Sequence, residues 1–334
     1  LSEIRFSGSD IANLSAAGVN ISLKSENVEI HIPSGSFDVD ENSQLAITVS
    51  PEELKKLTQN GAEYNPVNAY NFEVEEISGG NRNKVSKFNK KVAIEVKYNP
   101  DGINENLLGL YTFNEETGMW EYIRAAKHDK EGNSFKAELE HFSKYAVIEF
   151  KRQYADISQT YDEAQNAISI LSAKHIVDGI NATQYAPKKE LTRAEFTTMI
   201  VRALGIDLVK YKGSFVDVAD GAWYTEYIEA AYKAGIVSGV GGRKFDPNSK
   251  ITREQMAIMV TNAYEYIDNK LEASSDRFAD DSSISDWASE YVYKARAAGL
   301  IEGVGQNRFN PKGDANRADA AVIILKLITK LELI

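Results

Sequence analysis

Three arginines occupy the same position in three copies of one short motif. The copies begin at residues 191, 251 and 315 and read Leu-Thr-Arg-Ala-Glu, Ile-Thr-Arg-Glu-Gln and Ala-Asn-Arg-Ala-Asp. Their arginines are Arg193, Arg253 and Arg317, and each copy follows an aromatic-x-Pro step and precedes an apolar run with helical spacing. A planar guanidinium is suited to bidentate recognition of a carboxylate. The motif therefore predicts an anion site at the start of each of three helices.

The other residues of the motif predict the helix start itself. The first two copies have the Thr-x-x-Glu/Gln spacing of a capping box, and Asn316 with Asp319 is a weaker relative. An arginine in the first turn opposes the helix dipole by a few tenths of a kcal/mol, so local stability does not explain it. Free amides at the helix start and the guanidinium could converge on one carboxylate. The structural alternative is an ion pair between each arginine and an aspartate of a neighbouring repeat.

The region that carries the motif is repeated throughout. Aligned on Gly179, Gly239 and Gly303, it divides into helix–loop–helix repeats over 154–207, 211–268 and 275–330. Such units are too small to bury their apolar faces alone, so they must stack. The first repeat departs from the pattern, with Glu163 where the others have tryptophan and His175 where the others end the first helix at glycine.

Trp223 and Trp287 begin apolar helical stripes in the second and third repeats. At these positions they could be core residues, or they could present one ring face to a sugar. The sequence does not decide between the two interpretations.

Three aspartates and the repeated glycines complete the candidate set. Asp156, Asp217 and Asp280 could accept hydrogen bonds from a sugar, although helix capping is favoured. Gly239 and Gly303 allow close backbone approach, which suits a tight turn better than a ligand. The candidate binding residues are Arg193, Arg253, Arg317, Trp223, Trp287, Asp156, Asp217, Asp280, Gly239 and Gly303.

Residues 1–150 have a different periodicity. Segments that alternate apolar and polar residues predict an antiparallel β-sandwich-like domain, with a hairpin over 110–123. One short helix is predicted from Pro51, because Ser50 and Glu53 have capping-box spacing.

Composition excludes several functional classes. The 334 residues contain no cysteine, which excludes disulfides, thiolate catalysis and cysteine-bound zinc. The net charge of -11 argues against nucleic-acid binding, and no apolar run approaches the roughly 20 residues of a membrane span. There is no His-Glu-x-x-His, nucleophile elbow or phosphate loop, so we expect neither an enzyme nor a cofactor. Residues 38–42 give a weak hint of calcium, but the spacing is not that of an EF-hand and a solvated acidic loop is favoured.

These repeats resemble the S-layer homology domain, which occurs as triplets in Gram-positive surface proteins. The resemblance implies an all-α, pseudo-threefold trimer of repeats. It also implies noncovalent anchoring to the cell wall by binding secondary cell wall polysaccharide, whose terminal N-acetylmannosamine (ManNAc) carries a pyruvate ketal. The chain would then be an extracellular fragment of a longer surface protein, with other S-layer or surface proteins as further partners. An S-layer lattice protein and the anchoring fragment of a polysaccharide-degrading enzyme, with its catalytic domain elsewhere, are the alternatives.

Grooves between consecutive repeats would make the three sites unequal. We expect Arg193 to face Trp223 and Arg253 to face Trp287, whereas Arg317 would meet the first repeat, which lacks the tryptophan. This arrangement predicts two competent grooves and one degenerate groove. Replacing Arg193 and Arg253 by alanine is expected to abolish polymer binding with little change in thermal unfolding.

Overall fold

The computed structural model describes residues 3–268 and 270–334. The chain divides between Gln153 and Tyr154 into two compact units. The first unit is built of strands and the second of helices, as the two periodicities predict.

The N-terminal unit consists of two antiparallel sheets that share one apolar core. Its elements are β1 (Ile4–Ser7), α1 (Gly8–Ala16), β2 (Ile21–Lys24), β3 (Val28–Ile32), β4 (Gln44–Pro51), β5 (Leu57–Gln59), β6 (Ala62–Ser78), β7 (Asn81–Lys84), β8 (Val92–Lys97), β9 (Leu108–Asn114), β10 (Met119–Tyr122), β11 (Lys127–Asp129), β12 (Ser134–Leu139) and β13 (Lys144–Arg152). One sheet has the order β1-β4-β6-β13-β9-β10, with β5 and β7 also paired to β6, and the other has the order β11-β12-β8-β3-β2. The predicted antiparallel β fold is confirmed.

The alternation of buried and half-buried residues along the strands shows which face of each sheet packs on the core. In β8 the side chains of Val92, Ile94 and Val96 are buried while the residues between them are half-buried, because successive side chains point to opposite faces of a sheet. The predicted hairpin is formed by β9 and β10, which pair Asn114 with Met119.

The helix predicted from Pro51 is wrong. Pro51 ends β4, and the chain continues beside β6, where the Glu52 amide donates to the Ala69 carbonyl at 2.9 Å. Leu57 is exposed, so a helix here would have had no apolar face to bury. The helix of this unit is instead α1, whose cap Ser7 accepts a hydrogen bond from the Asp10 amide.

The C-terminal unit is a closed ring of helix pairs. Its helices are α2 (Asp162–Ala173), α3 (Arg193–Leu204), α4 (Thr225–Lys233), α5 (Arg253–Ile267), α6 (Asp286–Ala297) and α7 (Arg317–Lys330). The second helix of each repeat packs on the first helix of the next, α3 on α4, α5 on α6 and α7 on α2. The three second helices also contact one another, so the predicted pseudo-threefold arrangement is confirmed.

A ring of three hydrogen bonds marks the centre of this unit. The Leu191 amide donates to Ala315 at 3.0 Å, the Ala315 amide to Ile251 at 3.1 Å, and the Ile251 amide to Leu191 at 2.9 Å. All three residues are buried. The residues just before the repeated motif therefore tie the repeats together head to tail.

Helix ends follow the motif closely. Capping boxes begin α3 and α5, whereas in α7 Asn316 accepts from the Asp319 amide without the reciprocal bond to its own backbone. After the first helix of each repeat comes a left-handed residue, Gly235 at φ 72° and Gly299 at φ 70°, and His175 adopts the same conformation at φ 51°. No helix of the described residues is long and apolar enough to cross a membrane.

Candidate functional site

Each motif arginine clamps a turn of the next repeat. The Arg193 side chain is buried, and its Nε donates to the Phe245 carbonyl at 3.0 Å while Nη2 donates to the Ser238 carbonyl at 3.3 Å. The guanidinium lies 4.8 Å from the centre of the Phe245 ring. One side chain therefore binds two carbonyls of the segment that joins the two helices of the second repeat.

The other two arginines repeat this geometry. Arg253 donates to Phe309 at 2.8 Å and to Glu302 at 2.6 Å. Arg317 donates to Tyr185 at 2.9 Å and to Asp178 at 2.5 Å, and so returns from the third repeat to the first. The three clamps close the ring in one direction.

The amides at the start of α3 are not free, contrary to prediction. The Arg193 amide donates to Ser249 at 3.0 Å and the Ala194 amide donates to Pro247 at 3.1 Å, both in the turn of the second repeat. The next amide is capped by the Thr192 hydroxyl. The other two motifs bind their turns in the same way. An anion at these sites would therefore meet the guanidinium rather than the helix amides.

The aspartates do not pair with these arginines. Asp217 accepts hydrogen bonds from the Phe245 and Asp246 amides, both at 2.8 Å. Asp280 binds the equivalent turn of the third repeat at 2.8 Å, and Asp156 that of the first at 2.8–2.9 Å. The structural alternative, an ion pair of arginine with these carboxylates, is therefore wrong.

The aspartates instead fix strained backbone. In each turn the second bound amide belongs to a residue with positive φ, Ala186 at 60°, Asp246 at 62° and Asn310 at 58°. Neither Asp156 nor Asp280 forms a side-chain cap, so the helix-capping interpretation is wrong for both. Burial opposes ionisation of Asp217, but the two backbone amides outweigh it and hold its pKa below the usual value.

The repeated glycines are required by the same turns. A Cβ on Gly239 would lie 2.6 Å from the Lys244 carbonyl oxygen and 3.0 Å from the Phe215 ring. On Gly303 it would lie 2.6 Å from the Arg308 carbonyl oxygen. A side chain does not fit at either position, as the tight-turn interpretation predicts.

An open cleft of about 240 Å³ lies beside α3, and residues of all three repeats line it. We call it the first groove. Its lining includes Arg317 from the third repeat, Asp178, Gly179, Tyr185, Glu195, Thr198, Met199 and Arg202 from the first, and Trp223 from the second. Trp223 is 59% exposed, so it is not a core residue. Arg202 is held in the groove by Asp178, with Nη1 and Oδ2 2.8 Å apart.

The predicted pairing of Arg193 with Trp223 is therefore wrong, because Trp223 shares its groove with Arg317. The reason lies in the topology of the ring. An arginine reaches forward to the turn of the next repeat, and the second helix of that repeat packs on the first helix of the repeat after it. Each groove is therefore formed by three repeats. The arginine comes from one repeat, the turn and the second helix come from the next repeat, and the tryptophan position comes from the repeat after that.

By the repeat register the second groove contains Arg193, α5 and Trp287. Trp287 is 56% exposed, and the Lys312 ammonium lies 5.7 Å from the centre of its ring. Lys312 is held by the buried Glu254, with Nζ and Oε1 2.5 Å apart. Of the three grooves, only the first two have a tryptophan at this position.

The third groove contains Arg253 and has Glu163 at the tryptophan position. The Tyr161 hydroxyl donates to Asp319 Oδ1 at 3.0 Å. Burial and the Asp319 carboxylate raise the pKa of Tyr161, and the nearby Arg253 opposes this rise. Lys326 bridges Glu163 at 3.2 Å and Glu302 at 2.5 Å. The third groove thus has a carboxylate, Glu163, where the other two have a tryptophan.

Several groove residues were not identified from the sequence. Tyr161, Thr198, Arg202 and Lys326 differ from their equivalents in the other repeats, so a search for shared motifs passes over them. Comparing each position across the three repeats would have found them, once the helices were known to face a groove.

A protein-family model described as the S-layer homology domain matches the chain three times, at residues 153–197, 214–257 and 277–321. The matches fall on the three helix pairs, and each contains one motif arginine. The N-terminal unit lies outside the matched residues except for its last residue, Gln153.

Relatives with this region include enzymes and S-layer proteins. An amylopullulanase of Thermoanaerobacterium thermosulfurigenes is 38% identical over 328 residues, which is 96% of this chain and 17% of the relative. The exoglucanase XynX of Acetivibrio thermocellus is 47% identical over 188 residues, 55% of this chain and 17% of the relative. The S-layer protein sap of Bacillus anthracis is 35% identical over 162 residues, 48% of this chain and 19% of the relative. The chain therefore spans less than a fifth of the length of each.

Proposed function

Because the C-terminal unit belongs to the S-layer homology family, whose domains attach surface proteins to the cell wall, we propose that this chain is a noncovalent wall anchor. The ligand in this proposal is secondary cell wall polysaccharide, and its pyruvylated ManNAc terminus binds in the grooves between repeats.

The observation that carries the proposal is the meeting of Arg317 and Trp223 in the first groove. The Arg317 guanidinium is fixed by two carbonyls on its Nε and Nη2, which leaves Nη1 for a carboxylate of the ligand. The exposed Trp223 ring offers a flat apolar face, which suits the apolar side of a sugar. A cation beside a flat ring is the combination that an acidic sugar requires.

Overall charge does not oppose this ligand. The net charge is -11, but charges on the surface are screened over about 8 Å at physiological ionic strength. A guanidinium inside the groove therefore dominates the local field for a carboxylate that contacts it.

We further propose two functional grooves per chain. The first and second grooves each combine an arginine with an exposed tryptophan. In the third, Glu163 takes the place of the tryptophan, so the flat ring is missing and a carboxylate ligand would meet the Glu163 carboxylate. Like charges disfavour binding. Glu302 and Asp319 do not distinguish this groove, because the first groove has Asp178 and Glu195 at the same positions.

Calorimetric titration of the chain with a synthetic disaccharide that ends in pyruvylated ManNAc tests both parts of this proposal. We expect binding with two sites per chain, and a large loss of affinity when the same disaccharide lacks the pyruvate ketal. Equal affinity for both disaccharides, or no binding of the pyruvylated one, would overturn the ligand assignment.

For the protein that this chain anchors, we favour a polysaccharide-degrading enzyme over a lattice protein. The match to the amylopullulanase runs through both units, whereas the match to the S-layer protein sap covers 48% of the chain. We expect no polysaccharide hydrolysis by the chain itself, and no particles larger than the monomer by light scattering with or without calcium. Calcium-dependent assembly would instead favour the lattice protein.

A further inference from the structure

We propose that Thr198 is a specificity-determining residue of the first groove, where its hydroxyl bonds an uncharged polar group of the bound glycan. This inference rests on the proposed function. The group is a hydroxyl or an acetamido substituent of the sugar, and both are recognised by the same hydrogen-bonding chemistry.

The hydroxyl of Thr198 is buried at the wall of the groove. The residue is only 4% exposed, yet it lines the cleft together with Arg317 and Trp223. Among residues 3–268 and 270–334, no group forms a hydrogen bond with its Oγ1. A buried polar group without a partner is costly, and Thr198 lies in the wall of the groove in which the ligand would bind.

The neighbouring threonine shows that the helix itself does not require this arrangement. Thr197 is also buried, and its Oγ1 donates to the Arg193 carbonyl one turn earlier at 2.8 Å. This is the usual bond of a threonine within a helix. Thr198 does not form it, so its hydroxyl retains its full capacity to donate and accept.

The repeat register assigns this hydroxyl to one groove alone. The positions equivalent to Thr198 are Ile258 in the second repeat and Val322 in the third. Valine has nearly the shape of threonine and occupies this position in the third repeat, so the fold of a repeat does not require a hydroxyl here. The first two grooves therefore share the arginine and the tryptophan but differ in what they offer to the rest of the sugar.

Apolar side chains in the lining of the same cleft favour a group that is only partly polar. Val177 and Met199 line the same cleft and are largely buried. An acetamido group could place its methyl against them while its amide bonds Thr198. A sugar hydroxyl would use Thr198 alone, and the two cases can be separated by experiment.

The test uses the Trp287→Ala chain as the parent, so that the second groove is weakened and the first is titrated. Thr198→Val is expected to weaken binding of the pyruvylated disaccharide about tenfold, equivalent to about 1.4 kcal/mol. It should not lower the free energy of unfolding, because the hydroxyl has no partner in the free chain. Thr198→Ser, which keeps the hydroxyl, should retain the parent affinity.

Thr197→Val is the matched control. It removes a satisfied hydroxyl one residue away, so it should lower stability without changing affinity. If Thr198→Val binds as tightly as the parent, the inference is overturned while the proposed function stands. If the parent and the unmodified chain do not bind the disaccharide at all, the proposed function itself fails.

A second ligand identifies the sugar group. A pyruvylated disaccharide with a hydroxyl in place of the acetamido group is titrated against the parent and Thr198→Val. If Thr198 bonds the acetamido group, the two losses will not add, because either change removes the same interaction. If it bonds a sugar hydroxyl, the losses will add.

Discussion

Arg193 binds Phe245 twice, since its Nε donates to the Phe245 carbonyl at 3.0 Å and its guanidinium lies 4.8 Å from the centre of the Phe245 ring. This fixes the orientation of a cation that is buried between two repeats. Burial lowers the pKa of Arg193, whereas the charges of Asp246 and Asp217 oppose this effect. The arginine is thus part of the fold as well as a candidate ligand contact.

Arg193→Ala is therefore expected to destabilise the C-terminal unit, whereas the sequence led us to expect little change in thermal unfolding. The carbonyls of Phe245 and Ser238 would lose a charged donor inside the protein, at a cost of about 3 kcal/mol. Urea unfolding followed by circular dichroism measures the change. Arg308→Ala is the control, because its side chain is 59% exposed, and it should change stability by less than about 0.5 kcal/mol. Equal stability of the two variants would contradict the clamp.

Trp223→Ala should have the opposite profile. The ring is 59% exposed, so its removal should change the free energy of unfolding by less than about 0.5 kcal/mol. Loss of the sugar-stacking face should weaken binding to purified wall polysaccharide about tenfold or more in the first groove. Calorimetric titration measures this binding. Tyr266→Ala is the control, because it removes another aromatic ring, which lies on α5 and is 48% exposed. A similar loss with Tyr266→Ala would argue against a groove-specific effect.

The motif could be predicted to begin a helix because capping is local. Thr192 and Glu195 exchange both bonds of the capping box within one turn, so sequence spacing determines it. The partners of the arginine side chain could not be read in this way, because the Phe245 carbonyl belongs to another repeat. For the same reason the spacing did not show that Trp223 shares a groove with Arg317.

Ionised Asp217 and Asp280 should make stability depend on pH. Both carboxylates accept two backbone amides, which hold their pKa below the usual value although burial opposes this. A lowered pKa in the folded state stabilises the fold above the unfolded pKa, about 3.9, and this contribution is lost as pH falls through the folded value. We therefore expect the free energy of unfolding to decline below about pH 4.

Asp217→Asn isolates this contribution. An asparagine can accept from one amide through Oδ1 but would direct an N–H₂ donor toward the other, which should cost about 1–3 kcal/mol at pH 7. The loss should shrink as pH falls below 4, because Asp217 is then protonated in the unfolded chain and, at still lower pH, in the folded chain as well. Asp220→Asn, at an exposed aspartate in the same loop, is the control and should leave the pH profile unchanged. A difference between Asp217→Asn and wild type that is independent of pH would contradict the argument.

The third groove should become a binding site when Glu163 is replaced by tryptophan. Glu163→Trp gives it the residue that the first and second grooves have at the same position, Trp223 and Trp287. Glu302 and Asp319 can stay, because the first groove has Asp178 and Glu195 at the same positions. Arg253 already lies in place, held by the carbonyls of Phe309 and residue 302.

Calorimetric titration with the pyruvylated disaccharide should then give three sites per chain instead of two. Glu163→Gln is the control and should still give two, because it removes the charge without supplying a ring. Three sites in the unmodified chain would show that Glu163 does not exclude the ligand. Two sites in a correctly folded Glu163→Trp chain would show that other residues of the third groove prevent binding.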